Sequence, residues 1–273
     1  MPRIKVCCIS SVAEAELAIR YGASAIGLVT AMPSGPGVIS EVAIAEIAAS
    51  VSPAVGTFLL TCRTDAESIV AQQRRCGVNT IQLCDTVEPG CHARLREALP
   101  GISLVQVIHV TGPESIDEAV SNAPHIDALL LDSGNQKLAV KELGGTGRTH
   151  DWRLSRRIVE SVRIPVYLAG GLNPENVATA IREVQSFGLD VCSGLRTDGA
   201  LDEQKVNQFF LNARLANTNK CSRKCSSAIY LAFFMAGVFV GYCHNQSSEP
   251  AFLRSSISFG PRPRRMKRSS LTR

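Results

Sequence analysis

Over residues 1–215 the apolar positions alternate between two spacings. Short charge-poor runs read as strands covered on both faces. They are Arg3–Cys7, Ser24–Val29, Ala54–Leu60, Asn79–Leu83, Ser103–His109, Ala128–Asp132, Val166–Ala169 and Leu189–Cys192. Between them, apolar residues recur at helical spacing over Val12–Tyr21, Glu41–Val51, Ala66–Arg75, His92–Leu99, Glu114–Asn122, Trp152–Val162, Glu175–Val184 and Glu203–Leu215. Gly22 and Gly77 stand where helix C-terminal glycines stand. About eight strand–helix units at intervals of roughly 25–30 residues predict an α/β fold, a closed (β/α)8 TIM barrel. A doubly wound open sheet is the rival, but it usually has fewer units and needs a reversal of strand order.

A barrel concentrates chemistry on the loops after the C-terminal ends of its strands. Cys7 ends the first predicted strand and Asp132 the sixth, while Gly170-Gly171 and Ser193-Gly194 follow the seventh and eighth. The stretch Ile164-Pro-Val-Tyr-Leu-Ala-Gly-Gly-Leu-Asn-Pro-Glu-Asn-Val177 reads as strand, paired-glycine turn and helix start. In it Asn173 is placed as N-cap, Pro174 as first helical residue and Glu175 as a complement to the helix dipole. Such a turn lets an anion, above all a phosphate, approach backbone amides, and barrels frequently hold phosphate at the seventh and eighth loops. The bland readings are a tight turn without ligand, a carboxylate that caps a neighbouring helix, and a cysteine that only fills the core. Gly144-Gly-Thr-Gly147 is either a hinge or a further amide-lined wall.

Charge and cysteine content narrow the class. From Lys220 onward there are ten Lys/Arg and one Glu, a net of +9, which leaves residues 1–219 with 19 basic against 23 acidic residues. A mildly acidic body argues against nucleic acid as a partner, and 5% aromatic content argues against stacking platforms. The ten cysteines are expected to be reduced thiols rather than a disulfide framework, because the chain is long, opens without a signal-peptide pattern and carries several cysteines inside apolar runs. A cytoplasmic setting follows, and the absence of any C-x-x-C pair leaves a metal site without support.

Several blocks together resemble the phosphoribosylanthranilate isomerase family of tryptophan biosynthesis. They are Ile4-Lys-Val-Cys7 with Gly22-Ala-Ser-Ala-Ile-Gly27, Ile81-Gln-Leu83, Leu130-Leu-Asp132, Gly144-Gly-Thr-Gly147 leading to Asp151-Trp152, Leu168–Val177, and Asp190-Val-Cys-Ser-Gly194. The resemblance covers roughly residues 1–215, in order. It implies an Amadori rearrangement of an N-(5-phosphoribosyl)anthranilate aminoaldose to a 1-deoxyribulose phosphate, without metal or organic cofactor. Asp132 is then the general acid that opens the furanose ring, and Cys7 the general base that removes the C2 proton. Gln82, Gly145, Gly147, Gly170, Gly171, Ser193 and Gly194 are expected to bind the phosphorylated sugar. Physically, a thiol serves as base only when its pKa is drawn toward neutrality, with Lys5 close in sequence. A carboxylic acid serves as donor when an apolar approach such as Leu129–Leu131 raises its pKa.

Three positions depart from the family pattern. Cys8 follows Cys7 where the family usually has glycine, and Gln82-Leu-Cys-Asp85 stands for its usual Gln-Leu-His-Gly. The loop Met32–Ile39 lacks the arginine expected near the anthranilate carboxylate, and no Lys or Arg occurs between Arg20 and Arg63. Either another cation, such as Arg63 or Arg148, pairs with that carboxylate, or the aglycone is different. A related isomerase or epimerase with a non-anthranilate substrate, and a barrel that binds a sugar phosphate without turnover, therefore stay open. The domain reading is a barrel over 1–217 and a basic C-terminal tail over 218–273 that contains an uncharged apolar run, 228–243. That run falls short of the ~20 residues that span a bilayer. A membrane anchor, a helix packed on the barrel and a loosely attached appendage are its three readings, the last preferred. Cys221, Cys225, Cys243 and His244 have irregular spacing for zinc.

Overall fold

The computed structural model describes residues 2–216. The tail, its apolar run 228–243 and the Cys/His set within it lie outside the described residues. The elements follow in strict alternation: β1 (Arg3–Val6), α1 (Val12–Tyr21), β2 (Ala25–Val29), α2 (Glu41–Ser50), β3 (Gly56–Thr61), α3 (Ala66–Cys76), β4 (Thr80–Leu83) and α4 (Cys91–Ala98). The second half runs β5 (Ser103–His109), α5 (Glu114–Asn122), β6 (Ala128–Asp132), α6 (Trp152–Ser161), β7 (Val166–Leu168), α7 (Val177–Val184) and β8 (Gly188–Val191), and ends in helix α8 over 203–216. All eight strands are parallel, each hydrogen-bonds to the next, and β1 pairs with β8 to close the barrel. The sequence expectation of a (β/α)8 barrel holds, and the open sheet is excluded.

Local chemistry accounts for the element ends. Ser11, Ser40 and Asp65 accept backbone N–H bonds at the starts of α1, α2 and α3, and Gly22 and Gly77 end α1 and α3 in the left-handed conformation. Helix α7 begins two residues later than the pattern predicts. Asn173 still acts as a cap, because its Oδ1 accepts from the amides of Glu175 and Asn176, but Pro174–Asn176 form a turn before the regular helix.

Strand alternation divides the core in two. Ile4, Val6, Ile26, Leu28, Leu59, Ile81, Leu83, Leu129, Leu131, Leu189 and Val191 pack outward beneath the helices in one large cluster. Ala25, Val29, Phe58, Leu60, Val105, Val107, Ala128 and Leu130 fill the barrel interior. Cys76 and Cys91 are buried free thiols within the outer cluster, as expected of small hydrophobes.

A polar clamp fastens the loop after β1 to the chain beyond β8. Arg196 donates to both Glu14 carboxylate oxygens, at 2.8 and 3.0 Å, and to the Cys8 carbonyl, while Glu14 also accepts from the amides of Ser10 and Leu201. Partial burial works against the Glu14 carboxylate, but these donors outweigh it and hold its pKa at about 2. A lowered carboxylate pKa stabilises the fold above its unfolded value near ~4.3, and that contribution disappears as pH falls toward about 2. Glu14→Gln is expected to cost about 1–2 kcal/mol at neutral pH and almost nothing near the acid end, as read by urea unfolding across that range.

Candidate active site

Outward packing of Ile4 and Val6 leaves Lys5 and, at the end of β1, Cys7 facing the barrel axis. The same alternation turns Gln82 and Cys84 inward from β4, Asp132 from β6, and Asp190 and Cys192 from β8. A slip of one residue in any of these ladders would send its polar groups into the helix layer. A cavity of about 660 Å³, its opening to solvent included, lies at the C-terminal mouth. Cys7, Gln82, Asp132, Gly145, Gly147, Gly170, Gly171 and Ser193 all line it. Of the residues expected to act on or bind the phosphorylated sugar, Gly194 alone is outside this wall. A side chain there would strike the Leu172 carbonyl and Asn173, so Gly194 lets the loop after β8 pack on the loop after β7.

The sulfur of Cys7 and the carboxylate of Asp132 thus face one space, in different surroundings. Lys5, fully buried, places its Nζ 2.9 Å from Asp190 Oδ2 and 3.6 Å from Cys7 Sγ. Burial alone would lower the Lys5 pKa, but the negative field of Asp190, with Cys7 beside it, raises it and keeps the ammonium charged. Burial, joined by Asp190, pushes the Cys7 thiol up to about 11, while Lys5 and the Cys8 amide draw it down. Cys84, wholly buried nearby, is raised by burial. At neutral pH the resting Cys7 is therefore a thiol. Asp132 Oδ1 accepts from the Ser133 amide at 2.7 Å, and Oδ2 lies where a Gly144 side chain would stand.

Three glycine-bearing turns meet on one side of the mouth. Gly147 approaches Ser193 Oγ, and Gly170 lies against Ser133 Oγ and the Arg148 carbonyl. Gly171, at φ 63°, lets the Arg148–Thr149 backbone come so close that a Cβ would sit 2.7 Å from it. Ser133 and Thr146 hydroxyls hydrogen-bond at 2.6 Å and join the ends of the loop after β6. That loop is further pinned across the mouth by Lys141, which pairs with Asp85 Oδ2 at 2.6 Å, and by the Ser34 hydroxyl, which donates to the Lys141 carbonyl. The Asp85 departure is thus used as an anchor.

Cys8 and Cys192 overturn the expectation of reduced cysteines throughout. They form a disulfide across a sequence separation of 184, with Cα atoms 6.0 Å apart. Closure of the barrel brings the residue after Cys7 beside the residue before Ser193, a contact that no spacing along the chain reveals. Cys8 also sits at φ 60°, a left-handed conformation that favours the glycine usual in the family.

The missing cation of the Met32–Ile39 loop is not replaced at the wall: among the described residues lining the cavity there is no Lys or Arg. Arg148 is paired with Glu142, and Arg63 borders a separate surface groove with Thr30, Glu41 and Gln72. Two site residues carried little signal in sequence. Asp190 passed as part of a strand motif, and Gly27 as a strand glycine. A side chain at Gly27 would stand 2.7 Å from Cys7 Sγ and 3.0 Å from Lys5 Nζ. A glycine inside a buried strand is itself a sign of such close approach.

Fold and site together define a (β/α)8 barrel whose C-terminal mouth holds a cavity lined by a thiol, a carboxylate and, on one side, glycine turns. Over residues 4–212 the chain matches the family model for N-(5'-phosphoribosyl)anthranilate (PRA) isomerase, and it belongs to that family. An N-(5'-phosphoribosyl)anthranilate isomerase 2 from Methanosarcina mazei is 38% identical over 214 residues, covering 78% of this chain and 94% of that relative. The crystal structure of phosphoribosyl anthranilate isomerase from Thermotoga maritima superposes with a TM-score of 0.66 at 28% identity, over 78% of this chain and 99% of that one. A phosphoribosyl anthranilate isomerase in complex with reduced 1-(o-carboxyphenylamino)-1-deoxyribulose 5-phosphate matches with a TM-score of 0.64 at 27% identity, over 78% and 99%.

Gly27→Ala is expected to lower stability by about 1–3 kcal/mol through overpacking and to cut turnover roughly 100-fold by displacing the Cys7 sulfur. Thermal unfolding and steady-state rates measured on one preparation check both parts.

Proposed function

We propose that this chain isomerises N-(5'-phosphoribosyl)anthranilate to the corresponding 1-deoxyribulose 5-phosphate in tryptophan biosynthesis, in the cytoplasm. The observation that carries the reading is that Cys7 and Asp132 line one cavity whose far wall is built of glycine turns. Gly145, Gly147, Gly170, Gly171 and Ser193 form the anion-binding side, with Gly194 as the packing glycine that holds Ser193 there. Gln82 Oε1 is buried without a protein partner, which suits it to accept from a sugar hydroxyl.

In this mechanism Asp132 donates its proton to the furanose ring oxygen, and the C1–O bond breaks to leave a Schiff base. The Cys7 thiolate takes the C2 proton, the C2–H electron pair forms the C1=C2 double bond, and the π pair of the C=N bond moves onto nitrogen, giving an enolamine. Tautomerisation gives the ketose, and the two groups return to their starting protonation through solvent. The reaction is redox-neutral overall and needs no metal or organic cofactor. The tail 218–273 is proposed to be dispensable for this chemistry.

One observation supports a second reading. A wall without Lys or Arg leaves a bound benzoate unpaired, which is costly, so a phosphoribosylated amine lacking that carboxylate fits as well. Comparing kcat/KM for phosphoribosylanthranilate and phosphoribosylaniline decides: a strong preference for the first supports anthranilate, and a preference for the second replaces it.

Expression in a tryptophan auxotroph that lacks this isomerase is expected to restore growth, and Cys7→Ser and Asp132→Asn to abolish it. Rescue that survives both substitutions removes the catalytic assignment. No rescue, with thermal stabilisation by inorganic phosphate retained, points to a binding barrel instead. Because burial raises Cys7, kcat/KM is expected to climb as pH rises from about 7 to about 9, where a larger share of Cys7 is thiolate. A flat profile over that range contradicts a thiol base of this kind.

A further inference from the structure

We infer that Lys5 is the positioning residue for the base: its buried ammonium, shared between the Asp190 carboxylate and the Cys7 sulfur, stabilises the thiolate that takes the substrate proton. The inference rests on the reading of Cys7 as base and adds a residue to it.

Lys5 is 0% exposed, and an ammonium so placed loses its hydration at a cost of several kcal/mol. Four strands cooperate to keep it there. Strand β8 supplies Asp190, the register partner of Lys5 on the neighbouring ladder, at 2.9 Å. Strand β3 turns the Phe58 ring toward Nζ, 5.2 Å from its centroid. Strand β2 has Gly27 where a side chain would crowd both the Lys5 side-chain end and Cys7 Sγ. Strand β1 carries Lys5 and Cys7 two residues apart, which alternation puts on one face.

Fold stability does not require this arrangement, since apolar residues of similar volume usually replace a buried ion pair without loss. Proton chemistry does make use of it. An ammonium has three donor hydrogens, so one on Asp190 leaves others for the sulfur at 3.6 Å. Once Cys7 is ionised, Lys5 faces two anions. Asp190 therefore competes with the thiolate for Lys5, and the two neighbours of Cys7 act on its proton with opposite sign.

Every group that faces Cys7 enters this balance. Lys5 lies on its own strand and Asp190 on β8, and Cys84 on β4 is a neutral thiol at pH 7. Asp132 on β6 acts more remotely, through its field on Cys84 and Asp190. Tyr167 on β7 lies within the field of Lys5 and Asp190. Of these, Lys5 and Asp190 are the charged groups that act directly on Cys7.

The experiment measures the Cys7 pKa directly, as pH-dependent ultraviolet thiolate absorbance from which the Cys7→Ser signal is subtracted. The pH profile of kcat/KM with phosphoribosylanthranilate is recorded alongside. Lys5→Met is expected to move the Cys7 titration and the acid limb of the profile up by at least about one unit, which means about a tenfold loss near neutral pH that recovers at higher pH. Asp190→Asn is expected to move both the other way. If Lys5→Met does not fold by circular dichroism, the double variant Lys5→Met/Asp190→Asn, which removes both charges, is compared with Asp190→Asn: a Cys7 titration higher in the double variant supports the role of Lys5, and an equal one overturns it. An unshifted Cys7 titration in the folded variants overturns the role of Lys5, even where rates fall. Shifted titrations in a protein that does not turn over the substrate leave the Lys5 effect standing and refute the functional reading instead.

Discussion

Closure of the barrel along β1 and β8 is the constraint on which the site depends. Parallel pairing of Arg3–Val6 with Gly188–Val191 aligns Lys5 with Asp190 across a separation of 185 residues. It also seats Cys8 against Cys192 and brings Arg196 back to Glu14 and the Cys8 carbonyl. An ion pair, a disulfide and a hydrogen-bonded clamp thus cross the same seam. Each would be impossible in an open sheet with β1 and β8 at its edges, where their unpaired backbone groups would also be exposed.

Around that seam the mouth is assembled from loops that share anchors. The loop after β6 is held by Lys141 on Asp85, by Ser34 on the Lys141 carbonyl and by Thr146 on Ser133. These ties reach the loops after β2 and β4, so the Gly144–Gly147 turn is held against the cavity rather than left as a hinge. The salt bridge from a half-exposed lysine contributes little by itself. Its effect is geometric, because together with the Thr86–Gln136 hydrogen bond it joins the loops after β4 and β6. Departures from the family pattern cluster here as well. Cys8 takes a backbone conformation suited to glycine and is paired with Cys192, while Asp85 gains Lys141.

Most of the fold was legible in the chain because the barrel is a local code repeated eight times. Apolar runs such as Ala128–Leu131, bounded by turn residues, identify strands, and Gly22 and Gly77 mark helix ends by their backbone preference. Helix α7 starts two residues after the position its pattern predicts because Asn173 caps a turn with the same acceptor geometry that caps a helix. The strand-end rule located Cys7, Asp132 and the glycine turns, since position along a strand specifies which end of the barrel a residue occupies.

What the sequence determined by itself is therefore whatever follows from neighbours a few residues apart: alternation, caps, turns, and the face on which Lys5 and Cys7 both lie. Only the tertiary structure decided which distant groups share a cavity. It placed Asp190 on Lys5, excluded Gly194 from the wall, paired Cys8 with Cys192 and put no Lys or Arg among the described residues that line the cavity. The physical reason is that a salt bridge, a disulfide or a solvent-free wall is settled by contacts across the barrel. Those contacts depend on the register and closure of all eight strands together, and no stretch of chain encodes them alone.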